Sequence, residues 1–322
     1  MHRTLGLGLL SLAAACGGGA GGGSAGPFFE DSMFWNRDVS GMAKASNSDS
    51  LIAGLRSAGG WGRGDRLQVD FSFDVLEADA TTPMRTFSPT PEYFYSPDCE
   101  EAPVPVPTVG NLEGEPSYQC VSDGDCHLIV HDRAAGKLYE MYKADIGDTF
   151  RGGCLAVWDT GREYSETLRG DQCSSADAAG FPIAPLLFTA DEVAAGEIDH
   201  AIRFVLPNDR VRRGYVRPAV HGTDTTGPLN APAYGVHLRL KANYPVDTLP
   251  SEGAKVVARA LQRYGMYHAD GGEVALTAAS DRYTANQWSG LLTDRDLEFL
   301  RVEDFEVIDH GPMITYPYRC TR

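Results

Sequence analysis

Short runs in which apolar and polar residues alternate with a period of two constrain this chain most. Only a strand sends alternate side chains to opposite faces. Leu67-Gln68-Val69-Asp70-Phe71-Ser72-Phe73 is the cleanest such run. Cys126-His127-Leu128-Ile129-Val130-His131 reads as another strand. Lys137-Leu138-Tyr139-Glu140-Met141-Tyr142 reads as its hairpin partner across Ala134-Ala135-Gly136. Leu155-Ala156-Val157-Trp158 continues the pattern, and residues 202–206, 236–242, 274–277 and 305–308 add four more strands. Helices are fewer. Ser48-Asp49 caps a short one through Leu51, Ile52 and Leu55, ended by Gly59-Gly60. Thr189 and Glu192 spell a capping box, residues 251–268 carry Val257, Leu261 and Tyr264 on one stripe, and Thr293 caps a last helix to about Leu300. Residues 81–117 hold many of the 19 prolines, with PVPVP at 103–107, and read as an extended surface loop pinned by Cys99. The expected architecture is mainly β: a β-sandwich or jelly-roll-like single domain over 28–322 with about three peripheral helices.

The N-terminus reads as an export segment. Arg3 is followed by the apolar run LGLGLLSL and the small residues Ala13-Ala14-Ala15. Cys16 comes next, so residues 1–15 resemble a bacterial lipoprotein signal after which the cysteine is acylated, although Leu12 stands one place earlier than such signals prefer. Ordinary secretion is the other reading. Residues 16–27 are a glycine-rich tether. Gly22-Gly23-Ser24-Ala25-Gly26 mimics a nucleophile motif, but a tether lacks the strained strand-to-helix turn that would activate Ser24. Six cysteines remain after Cys16, an even number suited to three disulfides in an oxidising compartment. They allow 15 pairings. No Cys-x-x-Cys pair points to a metal, and no cofactor is indicated.

The net charge of −16 argues against nucleic acid as a partner, and against a membrane surface except through a lipid anchor at Cys16. Chemistry-bearing side chains gather in residues 186–244. Were His200 in a strand, it would share an apolar face with Ile198, Ile202 and Phe204, either as a hydrogen-bonded core histidine or as an acid/base group. Glu192 has a structural explanation in the capping box. His221 follows Pro218 at a strand end or loop, where functional groups concentrate. His237, Arg239 and Lys241 form a basic strip opposite Val236, Leu238 and Leu240: a solvated face, or a place to hold a carboxylate or sugar hydroxyl. Asp132, Asp159 and Asp177 follow strand or turn segments, Asp177 being equally a helix cap. His127 and His131 sit about 13 Å apart if the run is a strand, too far to share one ion. The Glu-x-Asp-x-Glu ladder of laminarinase-like jelly rolls, HExxH, a P-loop and GxGxxG in context are absent.

Several stretches together resemble a family of secreted or lipid-anchored bacterial proteins, found also in fungi. They include FWNRDVS at 34–40, SDGDCHLIVHDR at 122–133, KLYEMY at 137–142, SSADAAGFPI at 174–183 and DEVAAGEIDHAIRF at 191–204. RPAVH at 217–221, LRLKA at 238–242, RYGMYHADGG at 263–272 and EDFEVID at 303–309 complete the set. The resemblance implies one extracellular domain, with His127, Asp132, Asp177, Glu192, His200, His221, Arg239 and Lys241 at family positions, and brings no activity with it. The chain departs from that pattern at Gly136-Lys137, where the family has a cysteine, and at Cys126, where it has a second His or Arg.

These features make an exported, surface-tethered, glycan-active hydrolase or lyase the first expectation. His200 or His221 would act as acid or base, Asp132 or Asp177 would orient it, and Arg239, Lys241, Glu192 and His127 would bind substrate. A non-catalytic module binding polysaccharide or another cell-envelope glycan is the alternative.

Overall fold

The computed structural model describes residues 28–29, 32–315 and 319–322. The signal-like segment 1–15 and the tether 16–27, with Cys16 and Ser24, lie outside the described residues. As expected, the fold is mainly β, with fifteen strands and three α-helices among the described residues. Helix α1 (Ser48–Ser57) precedes β1 (Val69–Phe73) and β2 (Val75–Ala78). Three two-residue strands follow in the proline-rich stretch: β3 (Met84–Arg85), β4 (Ser88–Pro89) and β5 (Val104–Pro105). Next come β6 (Leu128–Asp132), β7 (Lys137–Met141), β8 (Asp145–Ile146), β9 (Phe150–Gly152) and β10 (Leu155–Asp159). The C-terminal half supplies α2 (Ala190–Ala195), β11 (Ile202–Leu206), β12 (His237–Leu240), α3 (Glu252–Arg263), β13 (Met266–Gly271), β14 (Leu276–Ala279) and β15 (Phe305–Val307).

Six strands form the largest sheet in the order β1-β14-β11-β13-β12-β15. Pairing is mixed: β1 lies parallel to β14 and β11 parallel to β13, while β12 is antiparallel to both neighbours. All five residues of the central β11 are buried, so both faces of the sheet are covered there. A second sheet runs β10-β7-β6-β2, with β6 and β7 forming the expected hairpin. Its alternation serves two cores at once. Ile129, Leu138, Ala156 and Trp158 enter the core shared with the six-stranded sheet. Leu128, Val130, Met141 and Leu155 face the other way and pack with Val104, Val106 and Phe150.

Two expected helices change character. The helix over 251–268 begins at its Ser251 cap but ends at Arg263. Gly265 takes φ +71°, and a Cβ there would lie 2.5 Å from His237 Nε2 and from Leu238 O. That close approach requires glycine and turns the chain into β13, placing His268 in a strand. The Thr293 helix does not form. The amides of Asp296, Glu298 and Leu300 each reach back three residues, leaving separate turns. Backbone carbonyls there also bond sideways: Asp294 O accepts from Val69 N, and Leu300 O from the Trp61 indole. The capping box on α2 is present as read.

All six remaining cysteines are paired, as Cys99–Cys154, Cys120–Cys126 and Cys173–Cys320. The first ties the proline-rich stretch to the start of β10, and the last ties the C-terminus to the segment ahead of Asp177. Loop length ranks their contributions. Cys173–Cys320 spans 147 residues and Cys120–Cys126 only 6. Chain entropy then assigns about 5 kcal/mol to the long loop and about 2 kcal/mol to the short one. We expect a Cys173→Ser, Cys320→Ser double variant to lose roughly twice the stability lost by Cys120→Ser, Cys126→Ser in urea unfolding. Equal losses would contradict the ranking.

Candidate functional site

Four adjacent strands of the six-stranded sheet carry a row of polar side chains into its covered face. Asp70 on β1 pairs with Thr277 on β14. The Thr277 hydroxyl lies 3.4 Å from Arg203 Nη1 on β11. Arg203 Nη2 donates to Asp270 Oδ2 on β13 at 3.0 Å. A bulge makes the last contact possible: Phe204 pairs with His268 but Val205 with Asp270, so Ala269 is the extra residue. Asp270 thereby replaces Ala269 on the Arg203 side. Arg203 Nε donates to Asp177 Oδ1 at 2.9 Å from a loop above the sheet. The Asp70 and Asp270 backbones stand three strand spacings apart, about 14 Å.

His127, just ahead of β6, closes the row from the second sheet. Its Nδ1 lies 2.6 Å from Glu113 Oε2 and its Nε2 3.0 Å from the Ala176 carbonyl. Both ring nitrogens face acceptors, which holds the ring as an imidazolium. Burial alone would lower its pKa, but the Glu113 charge and hydrogen bond win and lift it to about 9. The same pairing outweighs burial at Glu113 and lowers its pKa.

The group contains four carboxylates, Asp70, Glu113, Asp177 and Asp270, against two cations, Arg203 and His127. All four cannot ionise cheaply in so little water. Burial pushes Asp177 up to about 7 despite Arg203, and its Oδ2 has no partner among the described residues. Burial also raises Asp270, with Arg203 opposing. It raises Asp70, opposed by hydrogen bonds from Ser72 and reinforced by the like charge of Glu113. The row is partly open to water: the Asp270 and Glu113 side chains are 19% and 14% exposed, and Asp70 is half-buried. A row that holds a proton near neutral pH on buried Asp177 and raises the reachable Asp70 and Asp270 above the ordinary carboxylate value is suited to acid–base chemistry.

Glu140 stands nearby between the sheets, fully buried. It accepts the Ile183 and Ala184 amides at 2.8 Å each and the Trp158 indole at 3.0 Å. Burial pushes it up to about 7. Ala184 and its neighbours Pro185 and Leu187 line a cavity of about 450 Å³, with Phe28, Glu77, Glu192, His200 and Tyr283 among its other walls. His200 lies just ahead of β11 rather than in it. Its Nε2 is 3.1 Å from Glu192 Oε1 and its Nδ1 2.8 Å from the Ala201 carbonyl. Burial works against the charged ring, but Glu192 prevails and raises the pKa. Glu192 Oε2 meanwhile accepts from the Thr189 amide and hydroxyl in the capping box. The pair braces the start of α2 and leaves neither ring nitrogen facing the cavity unengaged.

Of the residues singled out from sequence, Asp177 and His127 belong to the carboxylate row, and Glu192 and His200 to the cavity wall. His221 sits beside the row: its Nδ1 is 3.1 Å from the carbonyl of Ala178, whose amide donates to Asp270 Oδ2. Burial lowers its pKa, keeping the ring neutral. Asp132 accepts the Ala135 amide in the β6–β7 turn, a structural duty. The basic strip is not one. His237 is buried against Tyr267, with ring centroids 3.9 Å apart, and burial pushes its pKa down to about 4. Arg239 is 8% exposed and donates to the Val39, Ser40 and Met42 carbonyls and to Glu306. It anchors the N-terminal segment to β12. Lys241 donates to the Glu303 carbonyl at 2.6 Å. Arg239, buried with its donors engaged, is not placed to receive a substrate.

Sequence reading missed Arg203, Asp270, Asp70 and Glu113. The signal at Arg203 was visible: an arginine in the middle of Ile202-Arg203-Phe204-Val205-Leu206 must be buried with partners if the strand is central. Among the described residues, only Glu115, Cys120 and Cys126 bring enough donor atoms together for a metal ion, and both cysteines are locked in one disulfide.

Asp177, Glu140 and His127 all hold protons more tightly in the folded chain than in the unfolded one. Their contribution to stability is therefore complete at low pH and is lost as pH rises. Asp177 and Glu140 lose theirs between ordinary carboxylate values of 3.8 and 4.5 and about 7, and His127 between 6.5 and about 9. His237 and His268, lowered to about 4 by burial, add stability as pH rises to 6.5 and oppose this trend there. Urea midpoints should therefore fall from pH 7 to pH 9, and His127→Gln should flatten that limb. A midpoint that rises over this range would contradict the assignment. No protein-family model, curated protein or solved structure matches the chain.

Proposed function

We propose that this chain is an exported glycan hydrolase whose acid–base groups belong to the carboxylate row around Arg203, with Asp70 and Asp270 as its water-reachable members. The observation that carries the reading is the excess of carboxylates over cations around Arg203, with both aspartates raised and both reachable from water. Glycoside hydrolysis uses two carboxyl groups. One, kept protonated, gives its proton to the leaving oxygen, and the other activates water or attacks the sugar. Asp70 suits the first role, because among the described residues its hydrogen bonds come only from Ser72 and Glu113 adds a like charge. Asp270 suits the second, because Arg203, Ala178 and Gly271 all donate to it. The two backbones stand about 14 Å apart, wider than the roughly 5–10 Å of a direct pair, so protons reach a shared bond from both only through water. Asp177 and His127 act as positioning groups for Arg203 and Glu113. His200 and His221 are weaker candidates than the sequence suggested, since the first is committed to Glu192 and the second to backbone.

Three disulfides support folding in an oxidising setting outside the cytoplasm. Among the described residues, no helix is long and apolar enough to cross a membrane. A lipid anchor at Cys16 would then hold the domain at the outer membrane. The stretches behind the family resemblance also supply Asp177, Arg203 and Asp270. A second reading, a non-catalytic glycan-binding lipoprotein, draws on the 450 Å³ cavity, whose His200–Glu192 pair is already engaged and could hold a ligand without reacting.

The test is a product assay with the full chain, made under oxidising conditions, on a panel of polysaccharides and cell-wall material. New reducing ends are expected on at least one. Asp70→Asn and Asp270→Asn should each lower the rate by about 10²–10⁴-fold, whereas His200→Ala should keep most of the rate per folded molecule. Activity that survives both aspartate changes would remove the row from the mechanism. Inactivity on every member, with retention on an insoluble glycan, would favour the binding module.

A further inference from the structure

A ladder of aromatic rings leads from the carboxylate row to the surface. The Arg203 guanidinium carbon lies 5.1 Å from the Phe73 ring centroid. Phe73 stacks on His127 at 5.6 Å, and His127 stands 5.7 Å from Tyr142. Tyr142 meets Tyr93 edge-on at 5.6 Å. Tyr93 is 36% exposed and Tyr95 52%. Burial raises the Tyr142 hydroxyl pKa, and the charges of Asp125 and Asp270 add to that, so this phenol borders the row.

The outer rungs are held in place rather than loose. The Tyr93 amide donates to Thr90 O at 2.9 Å and the Cys99 amide to Tyr95 O at 2.8 Å, and Cys99 is bonded to Cys154. A Cβ on Gly153 would come within 2.8 Å of the Tyr93 Cβ. The absence of a side chain at Gly153 therefore lets the tyrosine loop lie directly on the backbone ahead of β10. Exposed tyrosines fixed this firmly, two on one loop, offer apolar ring faces with polar edges.

We infer that Tyr93, Tyr95 and Tyr142 form a stacking subsite for an uncharged glycan chain, which they lead towards Asp70 and Asp270. The position of the reacting bond rests on the hydrolase reading above, while the subsite itself does not. Charge selects the substrate class. Asp70, Glu113, Asp125 and Asp270 surround the inner end of the ladder. Arg203 is 2% exposed and already spans Asp177 and Asp270. Lys143 donates to the Gly124 carbonyl at 2.6 Å and lies 5.7 Å from both the Tyr93 and the Tyr142 ring centroid. Lys143 stands against four carboxylates, so the charge balance favours uncharged sugars, whose hydroxyls can donate to the carboxylates while pyranose faces lie on the tyrosines.

Binding is measured by calorimetry on the full-length Asp70→Asn chain, and repeated on the unaltered chain at low temperature. The probes are cellohexaose, xylohexaose, mannohexaose and hexagalacturonate, at low and high salt. At least one neutral hexasaccharide should bind, Tyr93→Ala and Tyr95→Ala should each weaken it tenfold or more, and Tyr95→Phe should keep most of the affinity. Hexagalacturonate should bind at neither salt concentration. Affinity for hexagalacturonate equal to or above that for the neutral sugars, alanine variants that bind unchanged, or no binding of any neutral hexasaccharide would each overturn the subsite. Failure of the hydrolase reading looks different: tyrosine-dependent binding would persist with no new reducing ends. Turnover indifferent to both tyrosines would sink the subsite and leave the hydrolase.

Discussion

A guanidinium in the middle of a central strand is the constraint from which the rest of the site follows. Arg203 is 2% exposed, and an unpaired charge at that depth is not tolerated. The fold answers with Asp177 from a loop and Asp270 from the neighbouring strand, the latter delivered by a one-residue bulge. Removing either would leave the cation undercompensated, a loss of about 3–5 kcal/mol. Two carboxylates around one arginine, with Asp70 and Glu113 close by, exceed what the cations neutralise. The surplus is stored as raised carboxyl pKa values. The structural solution to a buried charge thus brings Asp177 up to about 7 and lifts Asp70 and Asp270 above the ordinary carboxylate value.

Several elements were legible because local pattern and tertiary role agree. The β6–β7 hairpin, β11 and the capping box on α2 follow alternation and capping chemistry. The end of α3 was not legible, because Tyr264 extends the helical stripe and only the crowding of Gly265 against His237 and Leu238 stops it. Residues 293–300 carry a helix-like cap, yet their carbonyls are claimed by Val69 and Trp61 from distant segments.

The site was half legible for a related reason. Asp177 stood out as a carboxylate after a turn segment, and His127 through its spacing from His131. Asp70 looked like the outward residue of a half-buried strand, and only the β1–β14 pairing brings it beside Thr277 and Arg203. The position of Asp270 depends on the bulge at Ala269, which leaves no mark in the sequence. Arg239 was misread because alternation predicts a face but not what covers it. Here Glu306 on β15 and three carbonyls of residues 39–42 consume its donors. Basic residues on one strand became an anchor instead of a binding strip.

The account is tested most directly by following the aspartate carboxyl carbons by NMR as pH is varied in the folded chain. It predicts that Asp177 titrates near neutral pH and that Asp70 and Asp270 titrate above the ordinary aspartate value, with the set shifting when Asp70 is changed to Asn. If every aspartate carboxyl titrates at or below the ordinary value, the row holds no proton at working pH. It would then be a structural ion cluster rather than an acid–base centre.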